Sequence, residues 1–215
     1  MADKATSPYI GMMSAYNPKL KLEIDKSMQD NAYFTSRFPN SLFSAPNMLS
    51  NPMVFPHEFG HMMSWRAGER YKVPGDALPT FMFKALKDTG VPNPSVWLRS
   101  FKDNFDNKFV QDRFKELFPQ LTKDNRIAGK ERDLEELLVD LNAFETVNNI
   151  DVTQDPVLLE HLFNDNPRLV EAYRAVRPER SDRLDAKDLP PFETQFKEDA
   201  VLKPSIKAWW KNVFR

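Results

Sequence analysis

The 215-residue chain balances 30 Lys and Arg against 31 Asp and Glu for a net charge of -1, which excludes a general nucleic-acid binder held by a basic surface. It contains no cysteine, so disulfides and thiolate metal ligands are excluded. Its 6 glycines form neither GxGxxG nor GxxxxGKS/T, so the phosphate-cradling loops built on those patterns are excluded too.

Residues 1–18 read as an irregular arm with small and Met-rich patches. The start, Met1-Ala2-Asp3-Lys4, has no apolar signal core, and no apolar run in the chain reaches the eighteen or so residues of a membrane span. The expectation is synthesis in the cytoplasm without a signal peptide, compatible with delivery by a dedicated route or incorporation in a virion. Leu20-Lys21-Leu22-Glu23-Ile24 alternates strictly and is the best strand candidate. Residues 31–55 carry Phe34, Phe38, Phe43 and Phe55 among Ser, Asn and Pro, and read as loop packed onto a core.

His57-Glu58-Phe59-Gly60-His61 is an HExxH motif and takes two of the chain's 3 histidines. On a helix, side chains four apart share a face, so two imidazoles can reach one tetrahedral zinc ion. Glu58 lies about 100° round the helix from His57, where its carboxylate can act as base without ligating the metal. The flanking Met53, Val54, Phe55, Met62, Met63 and Trp65 predict a buried helix. Two buried histidines and a carboxylate need partners there. The helix starts between Asn51 and Pro56, with Asn51-Pro52 as cap and first residue, or at Pro56 itself, and Ala67-Gly68 is its expected end.

Helices are predicted next over 76–89, stopped by Gly90, and over 94–117, stopped by Phe118-Pro119. In the second, Trp97, Phe101, Phe105 and Phe109 recur every four residues and read as core. A helix over 130–147 has Leu134, Leu137, Leu138, Leu141 and Phe144 as its apolar stripe. Glu136 and Asp140 border it, one turn apart. Zinc needs a third protein ligand. Glu136 is the better candidate, with Asp140 placed to hold a ligand histidine by its other ring nitrogen. Glu135 and His161 are the alternatives. Asp155-Pro156 and Asn166-Pro167 each read as a cap followed by proline, and predict helices over 156–163 and 167–176.

HEFGH followed by Glu136-x-x-x-Asp140 resembles the zincin metallopeptidases of the gluzincin type. Its lethal-factor-like branch is the most similar, over roughly 56–68 and 131–145. The segment Leu162-Phe163-Asn164-Asp165-Asn166-Pro167 resembles stretches of large phage proteins that also carry metallopeptidase modules. The resemblance implies a zincin-like fold, a Zn²⁺ cofactor held by His57, His61 and Glu136, Glu58 as general base, Asp140 behind the ligands, and a protein or peptide substrate. The chain departs from the pattern in its long gap between His61 and Glu136. It also has no tyrosine in 72–172 to stabilise an oxyanion; Tyr71 and Tyr33 are the candidate substitutes.

The expected fold is mainly α, zincin-like, with at most a small sheet beside the active-site helix and several short helices. Residues 1–176 form the metallopeptidase domain. Residues 177–215 form a charged linker and a C-terminal helix in which Lys203, Lys207, Lys211 and Arg215 accompany Trp209 and Trp210. That helix either packs on the domain or docks on a partner or an anionic membrane surface. Two functions stand side by side: a zinc-dependent peptidase, or a zincin-like structural or virion component with a structural or vestigial metal site.

Overall fold

The structure is a computed structural model that describes residues 19–28, 32–51, 53–73, 77–118 and 133–177. The readings for 1–18 and 201–215 lie outside the described residues. Within these, three strands, β1 (Lys21–Ile24), β2 (Ala32–Phe34) and β3 (Ser41–Ser44), are followed by seven α-helices. The helices are α1 (Val54–Tyr71), α2 (Ala77–Asp88), α3 (Pro94–Asn104), α4 (Lys108–Leu117), α5 (Leu134–Asn148), α6 (Pro156–His161) and α7 (Pro167–Ala175). The described chain is therefore mainly α with one small sheet.

The sheet has the order β1-β3-β2, with β1 parallel and β2 antiparallel to β3. Leu22, Leu42 and Phe34 stand in register across it. That row packs on Phe55, Phe59, Met62 and Met63 of α1. The next row, Glu23, Phe43 and Tyr33, points to the other face because side chains alternate along a strand. There Tyr33 stacks on Phe43 at 4.9 Å. The expected strand is present, but residues 31–55 are not simple loop. They hold β2, β3 and a short 3-10 turn over Pro46–Ser50.

Helix α1 lies between this sheet and the helical core, which explains apolar residues on more than one of its faces. Its start sits where Asn51 Oδ1 accepts the Met53 N–H at 3.0 Å. Pro56 falls at the third helical position, inside the first turn, where no N–H is owed to a preceding carbonyl. The helix does not end at Gly68. That residue is buried within it, and the chain turns out at Lys72, which takes the left-handed conformation at φ 53°.

The predicted helix over 94–117 is two helices. The break falls in Asp103, Asn104, Asp106 and Asn107, residue types that favour caps and turns over helix interiors. Asn107 caps α4 by accepting the Phe109 N–H at 2.9 Å. The break keeps Phe101 and Phe105 in the core and turns Phe109 out to 60 % exposure. Helices α2, α5, α6 and α7 fall within a few residues of their predicted spans. Asp133, Asp155 and Asn166 cap the last three through their side chains. Arg177, read as the first residue of a linker, is buried. Its guanidinium bonds Glu145 at 3.0 Å and Asp151 at 2.7 Å.

Candidate metal centre

The centre is built where α1 crosses α5. His57, Gly60 and His61 occupy one face of α1, at i, i+3 and i+4. Glu136, Val139 and Asp140 occupy one face of α5 at the same spacing, so two matching triplets meet. His57 Nε2 and His61 Nε2 lie 3.1 Å apart. Glu136 Oε1 is 3.1 Å from His61 Nε2, and Glu136 Oε2 is 3.6 Å from His57 Nε2. Tetrahedral zinc with bonds of about 2.0–2.1 Å spaces its ligand atoms by about 3.3 Å. The three separations bracket that value, so His57, His61 and Glu136 could together hold a metal ion.

The remaining hydrogen bonds orient this set. Asp140 Oδ1 is 2.8 Å from His57 Nδ1. A neutral His57 that donates there turns its Nε2 lone pair toward His61 and Glu136. Three lone-pair atoms then converge on one point, which suits a cation. All three side chains keep part of their surface in water, so the point is reachable from solvent.

Glu58 is buried, 9 % exposed. Its Oε2 accepts the Phe34 N–H of β2 at 2.7 Å. Burial pushes its carboxyl above the ordinary value; His57, His61 and the Phe34 amide pull the other way, and Glu136 adds to the rise. Burial pushes the His61 imidazolium down, but the hydrogen bond and charge of Glu136, with Glu58 and Glu135, outweigh it. His61 therefore titrates above its usual value. The same carboxylates that favour a proton on His61 would favour a cation at the point where the three side chains converge.

The structure separates the alternatives for the third ligand. Glu135 turns inward elsewhere and accepts the Leu78 N–H of α2 at 3.1 Å. His161 stacks on Phe109 at 4.5 Å, with Glu160 at 3.7 Å. Neither joins the cluster. The two tyrosines proposed for the oxyanion are not brought there either. Tyr71 ends α1 and packs edge-on against Phe81 at 6.0 Å, about 15 Å along the helix from His61 at about 1.5 Å per residue. Tyr33 lies on the sheet face turned away from α1.

The Phe34 amide is the functional group that the sequence did not disclose. It is a backbone donor, and a three-residue strand is too short to show alternation. The β-favouring pair Tyr33-Phe34 is the only local signal. No family model, no curated protein and no solved structure matches this chain.

Proposed function

We propose that the chain is a zinc-dependent peptidase that hydrolyses a peptide bond in a protein or peptide substrate. The observation that carries the reading is the convergence of His57, His61 and Glu136 within 4.8 Å, beside a buried Glu58 that belongs to neither imidazole's ligand role. The resemblance of HEFGH and Glu136-x-x-x-Asp140 to gluzincin metallopeptidases supports the same reading.

Bound there, zinc would supply Lewis acidity, making a water nucleophilic at neutral pH and polarising the scissile carbonyl. His57, His61 and Glu136 would hold the ion, and Asp140 would fix the His57 tautomer. The Phe34 N–H pins Glu58 Oε2, which leaves Oε1 to take a proton from the attacking water. Glu58 then passes that proton to the leaving amine. β2 is an edge strand of the sheet and lies against the same carboxylate.

Glu58→Gln tests the mechanism, because it keeps the side chain's shape and deletes the proton acceptor. The variant is expected to retain about one zinc per chain and to lose activity on a broad peptide library by about 100–10,000-fold. Equal cleavage by both proteins removes the mechanism.

One observation favours the second reading, a structural or virion component with a metal that fastens α1 to α5. Neither Tyr71 nor Tyr33 reaches the cluster, so an oxyanion would be stabilised without a tyrosine. Zinc bound at full stoichiometry with no cleavage by the wild type selects that reading.

A further inference from the structure

Gly60 sits between the ligand histidines on the face that meets α5. A Cβ built on it would stand 2.8 Å from Val139 Cγ1 and 3.4 Å from Cγ2. Carbon atoms in ordinary contact are about 3.5–4.0 Å apart, so an added methyl overlaps Val139 by most of an ångström. Valine in a helix has one strongly preferred χ1 rotamer and cannot readily swing away. Val139 is fully buried in the helical core. The strain would therefore be relieved by moving the helices apart.

The two ligand contacts flank this point. Gly60 is one residue from His61 and three from His57; Val139 is three from Glu136 and one from Asp140. A displacement of α5 moves Glu136 and Asp140 together. Metal–ligand distances tolerate only about ±0.2 Å, far less than the overlap.

We propose that Gly60 is a positioning residue for the metal centre: its missing side chain is the hole that receives Val139 and sets the α1–α5 spacing at which Glu136 reaches the ion held by His57 and His61. This rests on the metal-binding reading of the site. It concerns the motif's fourth residue, which touches no metal, and assigns it a specific partner on another helix.

The test is a double-mutant cycle read by Zn²⁺ titration against a competing chelator, with thermal unfolding of each metal-free protein alongside. Gly60→Ala is expected to weaken zinc binding by about 10–100-fold, the scale of losing an orienting contact. Val139→Ala alone, which empties the hole without creating a clash, should weaken binding by less than Gly60→Ala does. Gly60→Ala combined with Val139→Ala should recover most of the lost affinity. Alanine is the better helix former, so a Gly60 with no neighbour would tolerate the change with unaltered affinity and a higher melting temperature. That result overturns the proposal. So does a folded double variant that binds as weakly as Gly60→Ala, or a double variant that fails to fold. If Gly60→Ala alone fails to fold, the double variant decides by the same two outcomes. A wild type that binds no zinc breaks the metal reading instead, and is seen before any variant is compared.

Discussion

Helix α5 bears a carboxylate cluster near each end, and the two differ in what surrounds the carboxylate. Glu145, 2 % exposed, accepts from the Val152 N–H at 2.9 Å, the Tyr173 hydroxyl at 2.8 Å and Arg177 at 3.0 Å. Donors meet an acceptor, and Asp151 and Thr153 complete the same network around Arg177 and Arg174. Glu136, less buried, meets two imidazole nitrogens that carry lone pairs when both histidines are neutral. Burial alone ranks the Glu145 cluster as the more unusual. The sign of the converging atoms gives the opposite ranking for function. A buried carboxylate with its own donors is closed and structural, whereas converging acceptors call for a cation.

The comparison breaks most directly by removing each carboxylate in turn. Glu136→Ala is expected to abolish stoichiometric zinc binding while changing the unfolding free energy of the metal-free protein by no more than about 1 kcal/mol. Glu145→Ala is expected to do the reverse. It should cost about 3–5 kcal/mol by leaving Arg177 short of a buried counter-charge, toward the lower end because Asp151 still holds that guanidinium. Zinc affinity of the folded protein should be unchanged. Urea unfolding and zinc titration of both variants check the pair, and equal effects on both readouts would erase the distinction.

Asp140→Asn sharpens it. Asn can keep a hydrogen bond to His57 but not the charge, so zinc affinity should fall by about 10–100-fold, with the fold intact by circular dichroism. An unchanged affinity would reduce Asp140 to packing.

The smallest effect is on pH dependence. His61 titrates above its usual value of 6.5 in the metal-free protein. Its raised value contributes stability that is fully present below the unfolded value and is lost as pH rises through the folded value. The melting temperature of metal-free protein should therefore decline as pH rises above about 6.5 and through the raised folded value. Zinc affinity should rise over the same interval, because the ion displaces that proton. Parallel slopes with and without zinc would show that His61 does not exchange a proton for the metal.

The parts of this molecule legible in the sequence are those that a single helix encodes. HExxH fixes two imidazoles on one face by helical geometry alone. Asp-Pro and Asn-Pro marked α6 and α7 because capping chemistry is local. Glu136 could be preferred to Glu135 only by its position beside the apolar stripe, and the structure accounts for Glu135 by an amide of α2 that no local pattern contains. What the sequence hid depends on contacts between distant segments. The Phe34 amide of β2 meets Glu58 of α1 through the packing of distant segments, and the break after Asn104 falls in a run of cap- and turn-favouring residues that a periodic count of Phe residues passes over. Tyr71 lies ten residues beyond His61 on the same helix, a distance that reading the residue types alone does not weigh.

The cap on α5 has a consequence for rates. His57 and His61 lie well inside an eighteen-residue helix held by packing on two sides. Glu136 lies in the first turn of α5, and its own N–H is bonded by Asp133 Oδ1 at 2.9 Å. First turns lack internal partners and open with little free energy. Fraying there would withdraw the carboxylate before either imidazole moves, so an ion bound at this site would begin to leave at Glu136. Asp133 sets how often that turn opens. Losing such a cap costs typically about 1 kcal/mol, so Asp133→Ala should release zinc to excess chelator about fivefold faster, through a residue that never touches the ion.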